Sequence, residues 1–171
     1  EITNGIGIIS EIGEFTATTP GNGIIKAILK SNSEITTEIL VTVVAGSTIV
    51  FNPAELIIPQ ESSGTVNIRI EHITDLAGFE LTLTFNPQVL EATEVTEGNF
   101  LKQDGGSTFT PEPEIDNGNG IVSFASGRIA PGGVDGSGVL AQIRFEAQQA
   151  GESSLVLNDV KLSDSSANKI S

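Results

Sequence analysis

The stretch 78–85, GFELTLTF, alternates without a break. Phe79, Leu81, Leu83 and Phe85 fall on one face and Glu80, Thr82 and Thr84 on the other, until Asn86-Pro87 stops the pattern. Period-two alternation with one apolar face is the signature of a half-buried β-strand. The same signal recurs along the chain as short β-branched runs, each closed by a turn. It predicts strands at 6–9, 13–17, 23–29, 35–44, 49–51, 56–58, 64–70, 78–85, 89–94, 120–125, 138–147 and 154–161. The turn signals PGNG, DNGNG and PGGVDGSG separate several of them. Helical periodicity is nearly absent, so the pattern predicts an all-β fold, an antiparallel sandwich.

The chain divides near Ala45-Gly46-Ser47 into residues 1–46 and 47–171. The first part carries a GIISEIGEFTA hairpin from Gly7 to Ala17, a Gly-rich turn from Pro20 to Gly23 and an alternating Val41–Val43 exit strand. This order resembles the C-terminal half of a bacterial immunoglobulin-like (Ig-like) domain. Such a domain needs roughly seven strands. Residues 1–46 are therefore expected to form a partial Ig-like β segment, open to self-association with a second copy of the chain. No Met stands at position 1, which reads as a processed piece of a longer protein.

Charge and composition narrow the possible functions. A net charge of −14 repels phosphate backbones and anionic lipid, which argues against nucleic-acid and membrane-surface binding. No apolar run approaches the ~20 residues that span a bilayer, so no membrane insertion is expected. The chain has no Cys, which excludes disulfides, thiol nucleophiles and thiolate metal sites. Eight Phe stand without any Trp or Tyr. Sugar-binding sheets stack pyranose rings on exposed aromatics with a polar edge, so a carbohydrate-binding module ranks low.

Within 47–171, four landmarks follow one another: GFELTLTFNPQVLEATEV at 78–95, EGNFL at 97–101, GIVSFASG at 120–127 and DGSGVLAQIRFEAQ at 135–148. Together they resemble the cohesin family, the receptor modules of cellulosomal scaffoldins and other prokaryotic surface proteins. Phe85-Asn86-Pro87 stands where the family has Tyr-Asp-Pro, and Asn99 where it has Asp. The resemblance implies a nine-stranded antiparallel β-sandwich of jelly-roll topology. It further implies a non-catalytic recognition module that binds dockerin-bearing proteins at the cell surface or outside the cell. Calcium then belongs to the dockerin, a small calcium-loaded helical pair, and no cofactor to this chain.

The implied partner-binding face starts with Gly78 and Glu80, where the family commonly has an Asn and an Asp. Thr82 and Thr84 continue that face, and Ser123 and Ala125 join it from the next strand. On GVLAQIRFEAQ, alternation puts Val139, Ala141, Ile143 and Phe145 inside and Leu140, Gln142, Arg144 and Glu146 outside. Leu140, Gln142 and Arg144 therefore complete the expected face. Two further readings share this composition: a spacer or adhesive sandwich without a dockerin partner, and, below it, a carbohydrate binder.

Catalytic and metal chemistry have thin support. His72 is the single histidine, and it reads as a solvated residue at a strand end rather than a general base. Glu112 and Glu114 in PEPEID read as solvated acids on a Pro-broken run, without the aromatic platforms of a sugar cleft. Asp116 in DNGNG faintly resembles the start of a calcium loop, yet it lacks the closing bidentate Glu. Asn-Gly between strands is a hairpin turn in its own right, and Asp135 in PGGVDGSG has the same standing. No catalytic or metal site is expected.

Overall fold

The computed structural model describes residues 1–170. The chain divides into two compact units, Glu1–Gly46 and Ser47–Ser171. In the first unit, β1 (Gly7–Ile9) pairs antiparallel with β2 (Phe15–Ala17), and β3 (Gly21–Leu29) with β4 (Asn32–Val43). A bridge from Ile2 to Ile25 extends the second hairpin. Ile6, only 2% exposed, lies so close over β3 that a Cβ at Gly23 would sit 2.6 Å from Ile6 Cδ1. A glycine is therefore what lets this layer close. Ile35, Ile39 and Leu40 of β4 stay exposed, because two strands cannot cover both of their own faces.

The second unit holds nine strands: β5 (Thr48–Asn52), β6 (Ser63–Thr84), β7 (Leu90–Glu97), β8 (Thr108–Phe109), β9 (Glu114–Asp116), β10 (Ile121–Arg128), β11 (Val134–Ala147), β12 (Val156–Asp164) and β13 (Lys169–Ile170). One 3-10 turn, Phe100–Lys102, follows β7. The runs at 64–70 and 78–85, which alternation separates, belong to the single strand β6. His72 and Asp75 take positive φ of 56° and 55° within it, so the strand bends without ending.

That bend sets the topology. Before it, β6 pairs with β5 and β11, and β11 in turn pairs with β7. After it, β6 pairs with β10 and β12. Strands β8 and β9 extend this layer along β10, and β13 along β12. The two layers face each other across one apolar core containing Val66, Ile68 and Ile70 from the first half of β6 and Leu81 and Leu83 from the second. The ring of Phe85, just past β6, meets that of Phe145 on β11 edge-on at 5.3 Å, a favoured aromatic geometry.

Several local expectations differ from the structure, among them the following. Residues 56–58 lie outside the strands, and Ile57 is 85% exposed. The acidic stretch before β10, which alternation leaves irregular, contains β8 and β9. The strand expected at 89–94 runs from Leu90 to Glu97.

Candidate partner-binding face

The layer formed by β10, the second half of β6 and β12 presents an outward face in register. Ser123 lies opposite Thr82, Ala125 opposite Glu80, and Gly127 opposite Gly78. From the other side Asp159 lies opposite Thr82, Lys161 opposite Glu80, and Ser163 opposite Gly78. Opposed residues of an antiparallel pair share a face. Gly78, Glu80, Thr82, Thr84, Ser123 and Ala125 therefore form one contiguous surface.

The expected face is not wholly assembled. Strand β11 lies in the other layer, where Gln142 sits between Asn67 and Thr96, and Arg144 between Thr65 and Glu94. Gln142 Nε2 donates to Asn67 Oδ1 at 2.7 Å and Arg144 Nη2 to Ser63 Oγ at 2.6 Å. These two side chains tie β11 to the first half of β6 and point away from Thr82 and Ser123. Leu140 is a plain correction: it is 1% exposed, where alternation places it outside. The register of β11 shifts between Val139 and Ala141, so Leu140 and Ala141 are both buried while Val139 is only half-buried. A β-bulge turns a side chain over in this way.

The chemistry of the assembled face is mixed. Lys161 Nζ donates to Glu80 Oε1 at 2.9 Å and lies 3.3 Å from Asp159 Oδ2. Its pKa is raised, first by the bond to Glu80 and then by that to Asp159. Glu80 therefore meets any partner as half of an ion pair. Thr82 Oγ1 and Ser123 Oγ stand 3.5 Å apart, and Thr84 Oγ1 accepts from Asn158 Nδ2 at 2.9 Å. Gly78 is buried: a Cβ there would meet Ser163 Oγ at 2.9 Å. The hydroxyl of Ser163 fills the space that a side chain at 78 would need.

Sequence reading missed Asp159, Lys161 and Ser163 of β12. Their place on the face depends on the register shift between Leu157 and Asp159, which no local pattern announces. Also missed were Phe109 and Ile129, each 66% exposed, at the far edge of the same layer.

The edge of the layer is held by charge. Arg128 forks onto Asp104, with Nη1 to Oδ1 at 3.0 Å and Nη2 to Oδ2 at 2.7 Å, while also donating to the carbonyls of Leu101 and Gly132. The guanidinium holds the Asp104 carboxyl down at about 2. Nearby, Glu97 accepts from Lys102 at 2.6 Å, Ser126 at 2.8 Å and Thr108 at 3.0 Å. Burial pushes its pKa up, but these donors outweigh it and hold the group below its ordinary value.

The remaining candidates have structural partners. Asp116 closes the β9–β10 turn by accepting from the backbone and side-chain amides of Asn119 at 3.0 and 2.7 Å. Asp135 Oδ1 accepts from the Asp75 backbone at 2.7 Å. His72 is exposed at the bend of β6, where its backbone N–H donates to Ser137 Oγ at 3.0 Å. Glu112 is exposed, and Glu114 is exposed opposite Ser123. Among the described residues, no three of His, Asp or Glu gather where they could hold a metal ion, and no helix is long and apolar enough to cross a membrane.

Comparison with known proteins bears on the family and the fold. The cohesin domain profile matches residues 59–171, and the chain belongs to the cohesin family. It is a recognition module by membership, not an enzyme. No curated protein matches it. Its fold is similar to that of a type II cohesin–X-dockerin complex from Acetivibrio cellulolyticus, at TM-score 0.63 and 16% identity over 73% of this chain and 91% of that one. A non-cellulosomal cohesin from the archaeon Archaeoglobus fulgidus gives TM-score 0.58 and 19% identity, over 74% and 84% of the two chains. A type I cohesin–dockerin complex from Clostridium thermocellum gives TM-score 0.59 and 10% identity, over 74% and 92%.

Proposed function

We propose that residues 47–171 act outside the cell or at its surface as a module that binds a dockerin-bearing protein, through the outward face of the β10–β6–β12 layer. The observation that carries this reading is the makeup of that face. Its centre consists of the small or hydroxyl side chains Ser123, Ala125, Thr82 and Thr84, flanked by the Glu80–Lys161–Asp159 charges. Small central residues let a partner helix approach the sheet closely, while charges at the side select among partners. The Acetivibrio and Clostridium relatives, solved as complexes with dockerins, support the same reading. Calcium enters with the partner. Residues 1–46 fit a spacer built from Ig-like strands, on the strength of their motif and their paired hairpins.

Isothermal titration of the chain with a panel of dockerins, in calcium and then with chelator, tests this. Calcium-dependent binding of at least one dockerin is expected. Heat that survives chelation, or none with any dockerin, contradicts it.

A further inference from the structure

The sheet edge beside the proposed face carries two features that the reading above leaves unused. Phe109 on β8 lies directly opposite Gly127, and Ile129 stands two positions further on, just past the end of β10. Gly127 continues the outward series Ser123 and Ala125, so Phe109 and Ile129 share that face. Each is 66% exposed. Next to them lies Gly127, which raises no side chain against an incoming group and has no atom closer than 3.9 Å to where a Cβ would stand; beyond it, Gly78 is covered by Ser163. A large aromatic and a β-branched aliphatic left exposed together, beside the open position at Gly127, make an apolar anchor point.

At the other end of the same edge, Glu114 on β9 lies opposite Ser123 and is exposed. Glu80 and Asp159 are occupied by Lys161, and Asp116 by Asn119. Glu114 takes part in none of the ion pairs among the described residues, and unlike Asp116, whose two carboxylate oxygens are both turned to Asn119, it makes no side-chain hydrogen bond among them, so of the two β9 acids it is the one placed to meet a cation. Phe109 and Glu114 are separated by the four residue steps of β10 from Gly127 to Ser123. At strand rise that is roughly 14 Å, a length an α-helix covers in about nine residues.

Resting on the dockerin reading, we infer that Phe109 with Ile129 and Glu114 are the specificity-determining pair of anchors at this face. They fit a partner helix lying along β10 that presents a bulky apolar side chain and, about nine residues away, a Lys or Arg. Charge complementarity decides for a basic rather than an acidic partner residue, because the surrounding face carries more acids than bases. The apolar contact supplies affinity and Glu114 supplies selection.

The test is titration of the calcium-loaded dockerin panel against the chain and four variants. Phe109→Ser with Ile129→Ser is expected to weaken the best binder by about tenfold or more, while Phe109→Leu stays within about threefold because it keeps apolar area. Glu114→Lys is expected to weaken dockerins that carry the basic residue and to spare those that lack it. Gln142→Ala, on the other layer, changes nothing. All four sites are exposed, and coincident thermal unfolding curves confirm intact folding. If dockerins bind the wild type and the Phe109/Ile129 double variant equally, the anchor assignment is overturned while the dockerin reading stands. If no dockerin binds the wild type, both fall together.

Discussion

Arg128 and Asp104 show how a single pair sets the edge of the β10–β6–β12 layer. The Arg128 side chain is only 2% exposed, while that of Asp104 is 49% exposed. The guanidinium spans the Asp104 carboxylate and two carbonyls of the 101–132 neighbourhood. A carboxyl held down at about 2 in the fold lends stability above the ordinary Asp range near ~4 and loses it as pH falls toward 2. Asp104→Asn should therefore lower the unfolding midpoint at neutral pH, with the gap to wild type closing between about pH 4 and pH 2. A gap constant over that window in calorimetric scans would show that the ion pair is not its source. Gly120 offers a second residue-scale test. It sits at φ +67°, where a Cβ would lie 2.2 Å from the Phe85 carbonyl oxygen. Gly120→Ala should cost at least about 1–3 kcal/mol in denaturant unfolding, whereas a change below about 0.5 kcal/mol, the range of ordinary surface substitutions, would contradict the geometry.

At the scale of the element, β6 and β11 organise the second unit, and the sequence displays them unequally. The alternation from Phe79 to Phe85 announces its inward face, and all four apolar residues are buried. The bend is hidden: EHITDLA mixes polar and apolar residues as a loop would, yet β11 follows it through register shifts at Gly136 and Gly138. The placement of Leu140 was out of reach for a different reason. Val139, Leu140 and Ala141 are all apolar, so period-two reading cannot show which residue the bulge turns inward. Gly98, whose amide donates to the Leu140 carbonyl at 2.8 Å, marks the spot from the opposite strand. Strand β8 has two residues, too few to display any period. Of the candidate face, the β6 and β10 residues were legible because alternation and register agree. Those of β12 were not, because their register depends on a shift. Phe145, buried on β11 against Phe85, links the two layers. Phe145→Ala should cost about 3–5 kcal/mol in equilibrium unfolding, and a loss near that of a surface substitution would mean the layers do not share this core.

For the whole molecule, the core of the second unit, among the described residues, is built from positions between Ile49 and Ile170. Residues 47–171 expressed alone should unfold in one cooperative transition, checked by coincident far-UV dichroism and fluorescence-probe curves. Broad, non-coincident curves would place part of its core elsewhere. The net charge of −14 makes association with a basic partner sensitive to salt, slowing the on-rate as ionic strength rises. Which of the two sandwich faces meets the partner is decided by one calorimetric comparison. Thr82→Arg with Ser123→Arg places bulk and charge on the β10–β6–β12 layer. Gln142→Ala with Arg144→Ala alters the opposite layer by truncation. The first pair is expected to weaken the best calcium-loaded dockerin by about a hundredfold or more, while the second stays within about twofold. Unchanged affinity in the first pair, or loss confined to the second, would contradict it.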